Sequence, residues 1–151
     1  MLTVDTLADL TGYVGQTLGC SGWTSIDQDM IDRFADITGD RNWYHVDLKR
    51  AADELPGGRT IAHGLLTLSL VPGLAGQIVA VRNHGRALNY GLNKVRFPAP
   101  VPARSRLRLW MKVLSAEPVK DGTMLVRDYT MELEGASKPA MAAEMLTLVL
   151  R

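Results

Sequence analysis

Hydrophobic positions follow two regimes along this chain. Up to about residue 81 they recur at helical spacing or run together, and beyond about residue 84 they alternate with polar ones. Residues 2–10 have a weak helical pattern, Gly12, Gly15 and Gly19 loosen the stretch after it, and Leu18 to Thr24 reads as a short strand. Met30, Ile31, Phe34 and Ile37 then recur as one face of a helix. Ser25-Ile-Asp-Gln28 before them has the form of a capping box, and Gly39 fits the left-handed residue that ends a helix. Asp47 is placed to cap a second, short helix over Leu48–Glu54, which Pro56-Gly57-Gly58 terminates.

Ile61 to Val81 is apolar almost all round, which predicts one long helix enclosed by protein, bent at Pro72 and closely approached at Gly73 and Gly76. In the second half, Leu107, Leu109, Met111 and Val113 alternate with Arg106, Arg108, Trp110 and Lys112, a period of two. Met124–Leu133 and Ala140–Leu150 predict two further strands, with Asp121-Gly122 the turn before the first of them. A long helix followed by an antiparallel meander is an α+β arrangement, a sheet wrapped around one helix. No linker or repeat divides it, so residues 1–151 form a single domain.

Composition changes this picture little. With 46% hydrophobic and 22% charged residues and a formal net charge of +1, nothing points to nucleic acid. Cys20 stands alone, so no internal disulfide and no cysteine-based zinc site is expected, and a reducing cytoplasmic setting is the simplest one. The start MLTVDTLADLTGYVG lacks the basic and apolar regions of a signal peptide. His63, Gly64, Pro72, Gly73, Gly76 and Gln77 interrupt the greasiest segment, so no membrane helix is expected.

The candidate chemistry lies in FADITGDRNWYHVD, Phe34 to Asp47. A helix stops at Gly39 and is followed at once by Asp40, Asn42 and His45. A capped helix end with a polar loop would explain the first two. A carboxylate and an imidazole converging on one water would explain all three, because such a pair can both take and deliver a proton.

The pattern Phe34-x-x-x-Thr38-Gly39-Asp40-x-Asn42-x-x-His45, then five residues and Ala51, resembles the hydratase motif of the MaoC-like (R)-specific enoyl-CoA hydratases. Ile61-Ala62-His63-Gly64 resembles the second signature of that family. Asn89-Tyr90-Gly91-Leu92-Asn93-Lys94-Val95-Arg96-Phe97-Pro98-Ala99-Pro100-Val101 is similar to its first core strand and turn, in the form of the nodulation-protein-N-like branch. The resemblance covers roughly residues 20–150 and implies a hot-dog fold. Two positions depart from the family pattern: Trp43 stands where a proline is usual, and Pro72 where many members carry a serine.

The resemblance implies reversible hydration of a trans-2-enoyl-CoA to the (R)-3-hydroxyacyl-CoA, with no metal and no cofactor beyond the coenzyme A of the substrate. Asp40 and His45 would be the catalytic dyad and the Gly64 N–H the donor to the thioester oxygen, with Asn42 and His63 in support. An acyl tunnel beside the helix would involve Leu66, Leu70, Pro72 and Gly73, walled partly by the other subunit of a homodimer. Lys94 and Arg96 are candidates for coenzyme A phosphates, though a solvated strand face explains them and Arg104, Arg106 and Arg108 as well. Trp23 and Trp110 are expected to pack rather than stack on adenine. The alternatives on the same fold are an acyl-CoA thioesterase and a non-catalytic acyl-thioester-binding subunit.

Overall fold

The computed structural model describes residues 1–150, and Arg151 lies outside them. The strands are β1 (Leu2–Val4), β2 (Thr17–Cys20), β3 (Thr24–Ile26), β4 (Val79–Val81), β5 (Ala87–Arg96), β6 (Ser105–Val119), β7 (Gly122–Leu133) and β8 (Met141–Leu150). The helices are a 3-10 helix over Leu7–Tyr13, then α1 (Gln28–Thr38), α2 (Trp43–Val46), α3 (Leu48–Glu54), α4 (Gly64–Ser69) and α5 (Val71–Ala75). The main sheet runs in the order β2-β6-β7-β8-β5, antiparallel throughout, with β3 also paired to β6.

Alternation in the sequence sets the two faces of this sheet. Leu107, Leu109, Met111 and Val113 of β6 are buried with Leu125, Tyr129 and Met131 of β7 and with Met141, Ala143 and Met145 of β8. This face packs against α4 and α5, the hot-dog arrangement that the resemblance implied. A fully buried leucine on it contributes about 1.5–3 kcal/mol relative to an exposed one.

The long helix is where sequence and structure differ. The segment 61–81 holds two short helices and a strand. Ile61 to Ala62 is extended and stitched to the stretch beside it, with Ala62 N–H donating to Val101 O at 2.8 Å. Pro72, second in α5, has no N–H to continue the helical ladder, and the chain breaks at Leu70. Val79 and Val81, β-branched and alternating, leave the helix to pair in parallel with β1, which replaces the start of the expected helix over residues 2–10, while Leu7–Tyr13 is helical as a 3-10 turn. Nor is the segment enclosed within one chain: Leu65 is 60% exposed, and Ser69, Pro72 and Gly73 are open on the same side.

Two smaller corrections concern α1. Ser25 lies in β3, and the cap is Asp27, whose Oδ1 accepts from Met30 N–H at 2.8 Å. Gln28 is thereby released from a capping role. Ile37 is 84% exposed, since at 100° per residue it falls away from the face that Ile31 and Ala35 bury.

Candidate active site

The end of α1 creates the site. Gly39 adopts φ 77°, with its N–H donating to Ala35 O at 2.8 Å, a left-handed turn that L-residues with a side chain rarely adopt. The chain therefore reverses at once, and Asp40 and Asn42 come next on a short loop. His45 is carried on α2 rather than on that loop, with its own N–H donating to Asn42 O at 2.9 Å. Trp43, in the place of the family's proline, starts α2. The Arg50 guanidinium lies 4.1 Å over its ring, so packing holds the turn that a proline ring would have stiffened.

The Asp40 and His45 side chains face each other without bonding. His45 Nε2 and Asp40 Oδ2 are 4.0 Å apart, beyond a hydrogen bond. Each is held from behind. His45 Nδ1 is 2.6 Å from Ile61 O, a partner that can only accept, so Nδ1 carries the proton and Nε2 presents its lone pair to Asp40. Asn42 Nδ2 donates to Asp40 Oδ1 at 2.6 Å, so Asn42 fixes the carboxylate itself. A water donating to both acceptors with arms of about 2.8 Å would span the 4.0 Å gap at an angle of about 90°, close to its own geometry.

His45 is buried, and burial holds its pKa below the usual 6.5. The bond to Ile61 O and the Asp40 charge oppose that shift, while His63 adds to it. At neutral pH the ring is therefore an uncharged acceptor, the state a general base requires.

His63 and Gln28 brace this geometry. The His63 ring stacks on His45 with centroids 3.7 Å apart, and its Nε2 lies 2.8 Å from Asp40 O. His63 thus ties the loop that carries Asp40 to the ring of His45. Gln28 Nε2 donates to His45 O at 2.8 Å, while its Oε1 accepts from the Thr60 hydroxyl. Reading Gln28 as part of a capping box concealed this role. Asp40, His45 and His63 lie close enough together to suggest a metal site. His63 Nε2 faces Asp40 O, which can only accept, so that nitrogen carries a proton and offers no lone pair to an ion in this arrangement.

Gly64 opens α4 beside the pair, and its N–H meets no acceptor among the described residues. A side chain here would strike Phe97, whose Cγ would lie 2.9 Å from the added Cβ. The space that glycine leaves is filled by this ring, so the absent side chain serves Phe97 packing, and the N–H is the group left free. Phe34, Thr38, Asp40, His45, His63, Gly64 and Leu65 together line a cavity of about 110 Å³.

The other candidates are dispersed. Leu66 is buried in the core, Leu70 is half-buried against it, and Gly73 is exposed. The hollow beside α4 and α5 is instead walled by Leu68, Ser69 and Pro72. Lys94 Nζ pairs with Glu144 at 2.8 Å and Arg96 bonds Val95 O at 2.7 Å. Arg106 and Arg108 are each paired with a glutamate, Glu134 and Glu132. Trp110 donates to Glu132 at 2.6 Å, and Trp23 lies 4.5 Å under the Arg108 guanidinium, so both indoles pack.

Residues 9–134 match the MaoC-like domain. The chain is 46% identical over 147 residues to 3-hydroxyacyl-thioester dehydratase Z of Mycobacterium tuberculosis, covering 97% of each chain. It is 44% identical over 146 residues to nodulation protein N of Rhizobium leguminosarum bv. viciae, covering 95% of this chain and 90% of that one. Among solved structures, the R-hydratase PhaJ1 from Pseudomonas aeruginosa superposes with a TM-score of 0.72 at 24% identity, over 91% of this chain and 82% of that one. That likeness shows the fold. Taken with the sequence match, it places the chain in the MaoC-like family of hot-dog dehydratases.

Proposed function

We propose that this protein is a hydro-lyase that adds water to a trans-2-enoyl thioester, giving the (R)-3-hydroxyacyl product, and that it catalyses the reverse dehydration. The observation that carries the reading is the 4.0 Å opening between His45 Nε2 and Asp40 Oδ2, each braced from behind and both lining the same cavity. A water held there loses a proton to the pair as its oxygen attacks C3. The π electrons move onto the thioester oxygen, and the pair returns a proton to C2 on the same face. The Gly64 N–H is the free donor placed to stabilise the charge on that oxygen. The name of the mycobacterial relative supports thioester dehydration. Coenzyme A as the carrier and the (R) outcome come from the family resemblance.

The test is to follow loss of the conjugated thioester absorbance with a series of 2-enoyl-CoAs, then to analyse the product's chirality. Release of free thiol without hydration would make the protein a thioesterase instead. Binding without turnover would make it an acyl-carrying subunit.

A homodimer completes this reading. Among the described residues strand β5 has a partner only on the β8 side, and Leu88, Tyr90 and Leu92 on it are exposed at 53%, 64% and 45%. Leu65 and Phe97 add apolar surface beside the site. Unpaired edges and apolar patches of this kind are liabilities in a monomer, and a second copy covers both. Arg96, whose guanidinium meets no carboxylate among the described residues, remains the better candidate for a coenzyme A phosphate, whereas Glu144 neutralises Lys94. Sedimentation showing only a 16.5 kDa species would exclude the dimer.

A further inference from the structure

The inner face of the sheet carries one residue that an apolar core does not call for. Arg127 of β7 points inward between Leu125 and Tyr129 and is only 8% exposed. A buried guanidinium is costly unless it is paired. Among the described residues Arg127 has no carboxylate partner. Its Nη2 donates to Thr147 Oγ1 at 2.6 Å, its Cζ lies 5.4 Å from the Tyr129 ring centroid, and its buried Nε has no hydrogen-bond partner.

Arg127 lines a cavity of about 210 Å³ with Val71, Pro72, Tyr129, Met145 and Thr147. The cavity shares Pro72, Asn89 and Met145 with the hollow beside α4 that Leu68 and Ser69 wall. No aspartate or glutamate lines either space, nor the wider cleft of about 590 Å³ beyond, where Arg82 and Arg86 lie. The exposed side of α4 and α5 leads from Gly64 to Pro72, about 12 Å at 1.5 Å per residue. With C–C bonds of about 1.5 Å in a zigzag, that is a chain of roughly eight to ten carbons.

We propose that Arg127 is a specificity residue that receives a carboxylate at the far end of the acyl chain, so that the preferred substrates are ω-carboxy 2-enoyl thioesters of medium length. The inference rests on the hydratase reading, since it takes the chain to start at Gly64. An acyl carboxylate would supply the countercharge that the cavity lacks, through whatever part of the guanidinium faces it. Asn89, beside it in the same cavity, is a second donor for that carboxylate.

The experiment compares kcat/KM for paired 2-enoyl-CoAs of equal length, one ending in a methyl group and one in a carboxylate. Wild-type protein is expected to favour the carboxylate by about 10- to 100-fold at the matching length, the range of a charge-assisted hydrogen bond. Arg127→Met should abolish or reverse that ratio, and Arg127→Lys should keep part of it. An apolar side chain of similar length suits this core, and an unchanged melting curve would verify the fold. A parallel titration measures Kd for the saturated acyl-CoAs of each pair, which needs no turnover. If no enoyl thioester is hydrated, the hydratase reading falls and the binding ratio still decides the role of Arg127. Equal Kd and kcat/KM for the two chain ends, or a preference that survives in Arg127→Met, would overturn the proposal.

Discussion

On the outer face of β6 and β7, Arg108 holds Glu132 through two hydrogen bonds at 2.7 and 3.0 Å, and Arg106 grips Glu134 in the same way. Past the end of α1, Asp40 and His45 also set an acid against a base, yet they stop 4.0 Å apart. The first pairs have neutralised each other's charge, and Glu132 takes the Trp110 N–H besides. In the second, Asn42 holds the carboxylate and Ile61 O holds the imidazole, so both keep a lone pair directed at the same gap. Charge alone does not make a site. Restraint of complementary groups short of contact does, because it leaves work for a water.

The largest effect should come from breaking the open pair. Asp40→Asn and His45→Gln are each expected to lower kcat by about 10²–10⁴, with KM changed little. The groups act on one water, so the double variant should be scarcely worse than the poorer single one. Both substitutions are close to isosteric, and circular dichroism should report an intact fold. Near-wild-type turnover by either variant would remove the dyad from the mechanism.

Acid should weaken the same pair by filling the His45 lone pair. Burial lowers this pKa below 6.5, so kcat/KM for hydration should be level through neutral pH and fall only on the acid side of 6.5. Stability has the same sign. Between the folded pKa and 6.5 the unfolded chain binds the proton that the folded one refuses, so His45's contribution is present above 6.5 and is lost as pH falls. An activity profile and a set of melting curves across that window check both statements, and His45→Gln should flatten the acid limb of each.

A smaller loss is expected when the carboxylate is merely unbraced. Asn42→Ala removes the 2.6 Å bond to Asp40 Oδ1 and lets the carboxylate swing toward solvent or His45. Misplacement on this scale costs about 10- to 100-fold in kcat. Turnover at the parent rate would mean that His63 and the loop suffice.

Much of this was legible in the sequence, and the failures share a cause. The strands of the second half come from alternation, and the helix stop at Gly39 comes from the need for a positive φ. The proximity of Asp40 and His45 was readable because the two sit within a six-residue stretch. Gln28 and Phe97 were not, since their partners His45 and Gly64 are distant in the chain and no local pattern marks the contact. The helix over 61–81 failed where tertiary pairing overrode a continuous apolar run: Ile61 joined Pro102, and Val79 joined Leu2. Arg127 was overlooked because the alternation of β7 hides one charged residue among inward apolar positions.

The smallest effect should come from opening the closed pairs. Glu132→Gln leaves Arg108 with a neutral partner, and Arg108→Gln leaves Glu132 to Trp110, whose indole N–H already donates to it at 2.6 Å. The Arg108 and Glu132 side chains are 30% and 34% exposed, so solvent and salt screen what is lost. Neither change touches the cavity at Asp40 and His45. Both variants should keep kcat, and both should keep the same KM for coenzyme A thioesters relative to the phosphate-poor pantetheine thioesters. A rise in KM confined to the coenzyme A substrate in Arg108→Gln would show that this arginine leaves Glu132 to bind a phosphate. The closed pair would then be a gate rather than a finished contact, and the contrast between the two regions would have to be redrawn.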